Sequence, residues 1–357
     1  MTAQTETALP RICLLAAAET SPSVLYGLLD VLGSAGVVYP EVTTGQAGAP
    51  LFELRVVAAS AAPLLCQSSI PITPDCGVTD ADAASPDVVI VCDMYQPIDR
   101  PPRGKYPGEI AWLRQVHQGG ALVTSVCSGA LLLAEAGLLD GLDAASHWAY
   151  RELFERHYPR VTLRQELALC RDAEAQRIVT TGAVTAWQDL ALYLIARYAG
   201  REHAVQTAKV FLLSEHEEGQ LPFVVALPAI RHDDAVVADG QRWIAEHYAN
   251  PNPVACMAER AGLHVRTFSR RFRAATGQRP MEYVQRIRME EAKGLLETPT
   301  LAIEDVGYAV GYQDPASFRR LFRRHAGMTP AAYRRRFGGL GASQGGDALR
   351  PAPGLGA

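Results

Sequence analysis

Residues 266–283 read RTFSRRFRAATGQRPMEY, and residues 316–333 read ASFRRLFRRHAGMTPAAY. Several positions keep both their identity and their spacing when the chain advances by 50 residues. Phe268, Phe272, Gly277, Pro280 and Tyr283 recur as Phe318, Phe322, Gly327, Pro330 and Tyr333. A repeat at a fixed period indicates that one structural unit occurs twice in succession. This repeat decides the fold of the C-terminal part of the chain.

Each copy has the pattern of two helices joined by a tight turn. Gly262 and Gly311 precede the repeated stretches, where a turn between crossed helices favours the left-handed backbone that glycine adopts without strain. The two phenylalanines of each copy are four residues apart, so they share one helix face and pack inward. The outward positions are Arg266, Ser269, Arg270 and Arg273 in the first copy, and Ser317, Arg319, Arg320, Arg323 and Arg324 in the second.

Arginine-rich helices in this arrangement suit the recognition of double-stranded DNA, because a guanidinium binds guanine edges and phosphates through two hydrogen bonds at once. Residues 280–297, between the copies, have unbroken helical periodicity. A helix of that length spans about 27 Å, which is close to the ~34 Å of one DNA turn. We therefore predict that one chain reads two successive segments of the major groove. A helical bundle whose arginines form salt bridges is the alternative.

The charge of the chain is divided unevenly along its length. Residues 1–240 hold 16 Lys and Arg against 28 Asp and Glu, a net charge of -12. Residues 241–337 hold 17 against 9, a net charge of +8. A difference of this size indicates a polyanionic partner for the C-terminal part. A solvated basic surface is the alternative that charge alone leaves open.

Residues 10–213 have the pattern of an α/β domain, in which apolar strands alternate with helices and form a mostly parallel sheet covered on both faces. The predicted strands are 12–17, 55–59, 87–92, 121–126 and 177–181, and the predicted helices include 23–35, 108–118, 129–136, 149–158 and 186–198. Residues 1–213 are therefore predicted to form one domain, 214–235 a linker, 236–337 an all-helical domain and 338–357 a disordered tail.

Composition narrows the class of protein. A hydrophobic content of 48% is typical of packed globular domains. The sequence contains neither an apolar run of the ~18–20 residues that a spanning helix needs nor the basic start of a secretory signal. Seven dispersed cysteines without a CxxC pair favour reduced thiols. We expect a cytoplasmic protein without a cofactor or a metal site.

The stretch from about 236 to 337 resembles the DNA-binding domain of the AraC/XylS family. The resemblance rests on the spacing of arginine, phenylalanine, glycine, proline and tyrosine in 266–283, and on the longer pattern from Ile303 to Phe337. Two positions depart from the family pattern. His264 stands where a serine-type helix cap is usual, and Gly307 stands where alanine is usual, at an expected cost of about 1 kcal/mol in helix propensity.

Residues 123–130, VTSVCSGA, predict a strand, a sharp corner and a helix. This places Cys127 at the carboxyl end of the sheet beside a helix N-terminus, where a thiolate is stabilised and where ligands commonly bind. The geometry is that of a nucleophile elbow. A buried cysteine that serves only as a small apolar residue is the alternative.

The same region looks like the PfpI/class-I amidotransferase-like domains of the GlxA group of AraC-type regulators. The matching stretches are 127–129, 138–141, 146–148, 180–183, 189–192 and 219–223. This resemblance implies a flavodoxin-like fold and a domain that senses a small metabolite, often a nitrogenous one. Enzymatic relatives place an acid after the first strand, whereas Val24 occupies that position here and Glu19 lies several residues away. The loop at 93–95 also lacks the glycines that usually offer N–H groups to an oxyanion.

These features together predict a sequence-specific transcriptional regulator rather than an enzyme, with DNA and a small effector as partners and a homo-oligomer, most simply a dimer, as its state. Cys127, Ser128, His147 and Ala183 are the predicted effector-binding residues. A cysteine-dependent amidase or hydrolase with a regulatory DNA-binding appendage is the alternative, and turnover of amide substrates distinguishes it. A general nucleoid-binding protein is a further alternative, which would show no sequence preference.

Overall fold

The structure, a computed structural model, describes residues 8–171, 177–225, 232–298 and 300–339. The chain divides into two compact units, the first ending at Gln220 and the second beginning at Leu221. Apolar side chains form two core clusters in the first unit and two in the second.

The first unit is built on a seven-stranded sheet with the strand order β10-β11-β7-β6-β1-β2-β5. All neighbouring strands are parallel except β10 and β11, which are antiparallel. Two short pairs, β3 with β4 and β8 with β9, lie outside this sheet. The strands are β1 (Arg11–Leu15), β2 (Glu53–Ala58), β3 (Leu64–Leu65), β4 (Pro71–Ile72), β5 (Cys76–Gly77), β6 (Val88–Val91), β7 (Leu122–Val126), β8 (Asp143–Ala144), β9 (Thr162–Leu163), β10 (Leu169–Arg171) and β11 (Ile178–Thr181).

Helices cover both faces of the sheet. The side chains of α3, α4 and α5 belong to one core cluster, and those of α1 and α6 belong to the other. The helices of this unit are α1 (Pro22–Ser34), α2 (Val38–Thr44), α3 (Pro107–Gln118), α4 (Ala130–Glu135), α5 (Arg151–His157), α6 (Trp187–Ala199) and α7 (Arg201–Phe211). The predicted α/β fold with a mostly parallel sheet is confirmed. Strands that are buried on both faces carry mostly apolar residues, which is why their sequence pattern is nearly continuous.

The five predicted strands and the five predicted helices are all present, with bounds that differ by one to two residues at most ends. The antiparallel edge strand β10 and the helices α2 and α7 were not predicted. β10 has three residues and alternates in burial, so its apolar signal is weak. Helix α2 has no buried side chain among its seven residues, so no apolar face marks it.

The second unit is helical. Its elements are α8 (Ala235–His247), α9 (Pro253–Arg260), α10 (Val265–Thr276), α11 (Pro280–Glu297), α12 (Ile303–Ala309), α13 (Pro315–Ala326) and α14 (Pro330–Phe337). The first repeat copy consists of α9 and α10, and the second consists of α12 and α13. The predicted all-helical fold with two helix-turn-helix units is confirmed, and α11 has the predicted bounds.

Each copy packs around its own phenylalanine pair. Phe268 and Phe272 are fully buried in one cluster, and Phe318 and Phe322 are fully buried in the other. Helix α11 contributes to both clusters, with Val284 in the first and Met289 and Leu296 in the second. The spacer therefore joins two small cores and sets the distance between the copies.

A buried arginine holds the junction between the copies. Arg288 of α11 is 4% exposed. Its guanidinium donates to the carbonyl oxygens of Tyr248, Asn250 and Gly311 at 2.7, 2.8 and 3.1 Å. The first two carbonyls follow α8, and the third belongs to the turn of the second copy. One side chain therefore hydrogen-bonds to two segments that are about 60 residues apart in the sequence.

The turn and cap residues behave largely as the sequence indicates. Gly262 and Gly311 both have the left-handed backbone, with φ of 63° and 89°. His264 caps α10, since its Nδ1 accepts the backbone N–H of Arg266 at 3.3 Å. The expected cost of Gly307 needs correction, because a Cβ there would lie 3.0 Å from Cδ1 of Phe318. Glycine lets α12 approach the buried phenylalanine, so an alanine would lose in packing what it gains in helix propensity.

The predicted linker 214–235 does not behave as one segment. Residues up to Gln220 belong to the first unit, where the backbone N–H and the ring Nδ1 of His216 contact the Asp189 carboxylate at 2.8 and 2.7 Å. Residues from Leu221 belong to the second unit, and residues 226–231 lie outside the described part of the chain. Residues 340–357 of the predicted tail, which was predicted to begin at 338, lie outside the described part of the chain as well.

Within the described ranges, no single helix has the length and apolar composition that crossing a bilayer requires. Helices α1 and α2 meet that test only when they are taken together, and a bend of 52° separates them.

Candidate functional site

The structure gathers four predicted side chains of the first copy along one groove. Arg266, Ser269, Arg270 and Arg273 line a cavity of about 1050 Å³ between α9, α10 and the start of α11. The three arginines are exposed and extend from the face opposite Phe268 and Phe272. Because the helix buries its aromatic face in the core, its basic face remains available to a ligand.

Sequence reasoning missed one member of this groove. Arg279 lines it from the residue before α11, and its backbone N–H is taken by the Glu282 carboxylate at 3.0 Å. Because Arg279 lines the same cavity as the three arginines of α10, its guanidinium adds a fourth positive charge to that surface. Its counterpart 50 residues later is Thr329. The difference between the two copies at this position is the sequence signal that singles out Arg279.

The second copy presents its predicted residues on α13. Arg319, Arg320, Arg323 and Arg324 are exposed, and Ser317 is half-buried. Asp314 caps the helix by accepting the backbone N–H groups of Ala316 and Ser317 at 3.1 and 2.9 Å. Hydrogen bonds from the Ser317 hydroxyl and from these N–H groups hold the pKa of Asp314 below its usual range.

The second candidate site is the elbow of the first unit. Cys127 follows β7 and adopts a φ of 54°, which is unusual for a residue other than glycine. A short helical turn and α4 follow directly. Gly129 permits this corner, because a Cβ there would lie 2.5 Å from the carbonyl oxygen of Val91. The predicted strand–corner–helix geometry is confirmed, and the strained backbone marks the corner as a candidate site.

Of the two alternatives for Cys127, the structure favours the buried cysteine over the stabilised thiolate. Cys127 is only 3% exposed. Burial, reinforced by the negative charge of Asp93 and by its hydrogen bond with the thiol, raises the pKa of Cys127 well above its ordinary value. The group is therefore a neutral thiol at neutral pH. The helix N-terminus does not outweigh desolvation and a neighbouring carboxylate.

Asp93 is the residue of this site that sequence reasoning missed. It follows β6, which pairs with β7, so the sheet brings its carboxylate to the elbow. The Ser128 hydroxyl donates to Asp93 Oδ1 at 2.6 Å and accepts the N–H of Met94 at 2.9 Å. An acidic residue directly after a predicted strand was the available signal.

Ser128 is 1% exposed, and these bonds occupy its hydroxyl. Ser128 therefore holds the loop after β6 against the elbow, and the structure does not present it to a ligand.

His147 and Ala183 are half-buried. Burial lowers the pKa of His147, and its Nδ1 accepts the N–H of Ala149 at 3.2 Å. The neutral ring therefore carries its proton on Nε2. Ala183 follows β11, the neighbour of β7, so it lies at the same edge of the sheet. Among the four predicted residues, His147 and Ala183 have accessible surface, whereas Cys127 and Ser128 are buried.

The groups that the sequence analysis compared with those of enzymatic relatives have other partners in the structure. Val24 is fully buried in the apolar core, and the Glu19 carboxylate contacts Lys105 Nζ and Tyr106 Oη, each at 2.8 Å. The N–H of Tyr95 donates to the carbonyl oxygen of Glu19 at 2.8 Å, so it is not aimed at an oxyanion. Across the ranges that the structure covers, no group of three or more potential metal ligands comes together.

A chain of contacts leads from the elbow to the end of the first unit. The Ser146 hydroxyl donates to the carbonyl oxygen of Cys127 at 2.9 Å. The carbonyl oxygen of Ser146 accepts the side-chain amide of Gln220 at 2.9 Å, and the oxygen of that amide accepts the N–H of Trp148 at 3.1 Å. Gln220 is 2% exposed and is the last residue of this unit.

The next residues pack within the second unit. The ring of Phe223 meets that of Phe337 edge to face at 5.4 Å, and the guanidinium of Arg336 lies 4.8 Å above Phe223. The buried Lys293 of α11 donates to the carbonyl oxygen of Val224. We refer to Leu221–Val225 as the strap, because it anchors the start of this unit to α11 and α14.

Comparison with known proteins gives two family matches. Residues 37–197 match the DJ-1/PfpI family, and residues 257–336 match a helix-turn-helix domain. The chain is 27% identical to the HTH-type transcriptional regulator CdhR of Pseudomonas aeruginosa over 85% of its own length and 87% of that protein.

It is also 27% identical to the HTH-type transcriptional regulator GlxA of Rhizobium meliloti, over 82% of this chain and 88% of that one. Among solved structures, an AraC family transcriptional regulator from Pseudomonas putida matches with 19% identity and a TM-score of 0.46. That match covers 57% of this chain and 99% of the other.

Proposed function

We propose that this chain binds a defined DNA sequence under the control of a small molecule. The chain belongs to the HTH-type transcriptional regulators that join a DJ-1/PfpI domain to an AraC-type helix-turn-helix domain. The DNA-binding residues are those of the two reading helices, α10 and α13. The effector site lies at the elbow of the first unit. The protein acts in the cytoplasm and as a homo-oligomer, most simply a dimer.

The observation that carries this proposal is the paired construction of the second unit. Two helices with a buried phenylalanine face and an exposed arginine face are joined by one continuous helix that enters both cores. Such a unit presents two basic helices at a fixed separation, as the recognition of two successive major-groove segments requires.

Substitution of single arginines tests this assignment. Arg270→Ala or Arg320→Ala should cost about 1–3 kcal/mol and relax specificity at one base pair, if each guanidinium reads a guanine edge. Arg323→Ala should weaken binding to every sequence and reduce the salt slope by about one, as loss of a phosphate contact does. Titrations of a selected duplex and its scrambled counterpart at several salt concentrations measure both effects. Equal, sequence-independent losses for all three variants would contradict the base-reading role.

The first unit is proposed to bind its effector without turning it over. Its cysteine is a buried neutral thiol, whereas a cysteine nucleophile acts as the thiolate. The neighbouring carboxylate of Asp93 opposes ionisation rather than promoting it. His147, Ala183 and the rim of the elbow are the surfaces that an effector would contact.

The contacts behind the elbow support a route for control. Cys127, Ser146 and Gln220 are linked by hydrogen bonds, and the strap begins at the next residue. A ligand that prefers one arrangement of the elbow would therefore act on Gln220, the residue directly before the strap. Such a differential affinity is what a population shift requires.

Cys127→Ser separates a sensor from an enzyme. The substitution is nearly isosteric, so the fold should persist. Because the side chain at this position is buried, effector affinity should change by no more than about 1 kcal/mol, the size of one weak polar contact. DNA binding without effector should stay as in the wild type. Calorimetric titration of candidate metabolites and an amide-hydrolysis assay measure these outcomes. Turnover of about 1 per second or more that disappears with Cys127 would establish the enzyme instead.

A further inference from the structure

The two copies hold their arginines in different ways. In the first copy, the side chains of Arg266, Arg270 and Arg273 make no hydrogen bond or ion pair with any residue in the described ranges. In the second copy, the guanidinium of Arg319 pairs with the carboxylate of Glu304. The guanidinium of Arg320 donates to the Ser317 hydroxyl at 3.1 Å.

The carboxylate that pairs with Arg319 is ionised. Glu304 is the second residue of α12, and a hydrogen bond from its own backbone N–H, followed by the bond from Arg319, holds the pKa of Glu304 below its usual range. It therefore stays ionised at neutral pH. An ionised carboxylate on the neighbouring helix α12 gives the guanidinium of α13 a charged partner on one side.

An ion pair at these two positions has no counterpart in the first copy, where the ion pair of α10 instead joins a different arginine to the carboxylate that caps α8. Helix α9 has no acidic residue in its first turn, and the residue 49 positions before Glu304 is Ala255. The residue 50 positions before Arg319 is Ser269. The acid and the arginine at these two positions thus occur together in the second copy and are both absent from the first.

Stability does not account for the pair. Glu304 is 48% exposed and Arg319 is 54% exposed, and exposed ion pairs contribute little to folding. The pair matters when Arg319 meets a ligand. A free arginine loses its rotamer freedom on binding, whereas one already held by a neighbour loses less. Holding one side of the guanidinium also fixes the direction of its remaining N–H donors.

We propose that Glu304 is a positioning residue that orients the guanidinium of Arg319 toward one guanine edge in the major groove. The inference rests on the proposed function, because it assumes that α13 reads DNA. It adds a specificity role for a carboxylate that would otherwise only repel phosphates.

The test uses the full chain, a duplex that the wild type selects from random sequences, the single-base variants of that duplex, and a scrambled duplex. Arg319→Ala should lose about 10- to 100-fold discrimination at one base pair. Glu304→Gln should lose about five-fold at the same base pair, and its affinity for the scrambled duplex should stay within about two-fold. The double variant should discriminate no worse than Arg319→Ala alone.

Asp305→Asn is the matched control. It removes the same charge from the adjacent residue. The side chain of Asp305 makes no hydrogen bond or ion pair with the described residues, so discrimination should not change. Unchanged melting temperatures would show that the variants fold.

Three results would overturn the inference. In the first, Glu304→Gln tightens selected and scrambled duplexes equally, which indicates a simple charge shield. In the second, Asp305→Asn has the same effect as Glu304→Gln. In the third, Glu304→Gln changes nothing. A wild type that selects no sequence would instead contradict the proposed function itself.

Discussion

Arg288→Met is expected to destabilise the second unit by about 4 kcal/mol, because charge-assisted hydrogen bonds contribute about 1.5–3 kcal/mol each and the buried partners that remain are left unpaired. Methionine keeps most of the apolar stem but supplies no donor, so the carbonyl oxygens of Tyr248, Asn250 and Gly311 lose their common partner. Calorimetric unfolding of the full chain measures the change.

The matched control is Arg335→Met on α14, where the arginine is exposed. Its effect should be within about 0.5 kcal/mol, as for other surface substitutions. Arg288→Met should also weaken binding to a site that spans two grooves, since the lost contacts join the two copies. A loss for Arg288→Met no larger than that of the control would show that the junction does not depend on this side chain.

Gly311→Ala is expected to have the second large effect, and Gly262→Ala is its internal control. Both glycines have a positive φ, which costs other residues about 1–2 kcal/mol. At Gly262 a Cβ would meet nothing within 4 Å, so only this strain applies. At Gly311 a Cβ would lie 2.7 Å from the carbonyl oxygen of Ala249 and 2.8 Å from its Cα.

Because those atoms belong to the backbone, the junction must shift, and the total loss should reach about 3–5 kcal/mol. Urea unfolding of both variants, followed by circular dichroism, gives the comparison. Equal losses for the two variants would mean that the second turn does not pack against the junction as the structure has it.

The repeat carries most of the information that the sequence holds about the second unit. The spacing of Phe268 and Phe318 predicts the inward faces, and Gly262 and Gly311 predict the turns, because local geometry alone demands those residue types. The role of Arg288 was not predictable in the same way. An arginine in a helical pattern is usually exposed, and its burial here depends on carbonyl groups supplied by two distant segments.

A similar limit applies to the first unit. The sequence places Cys127 at a corner, since a strand, small residues and a helix follow each other directly. It does not give the protonation of the thiol, because Asp93 reaches the elbow only through the pairing of β6 with β7. The ionisation state of a buried group follows from its spatial neighbours and its desolvation. The first half of the predicted linker packs against the first unit for a comparable reason, because His216 hydrogen-bonds to the carboxylate of Asp189, 27 residues earlier in the sequence.

We propose that one chain binds two successive segments of the major groove through α10 and α13. The most direct measurement is a hydroxyl-radical footprint of the full-length protein on its selected duplex, combined with the stoichiometry of the complex. We expect two protected segments per chain on one face of the DNA, about one helical turn apart. Arg270→Ala should weaken protection in one segment, and Arg320→Ala should weaken it in the other. A single protected groove per chain, or uniform protection without sequence preference, would contradict the claim.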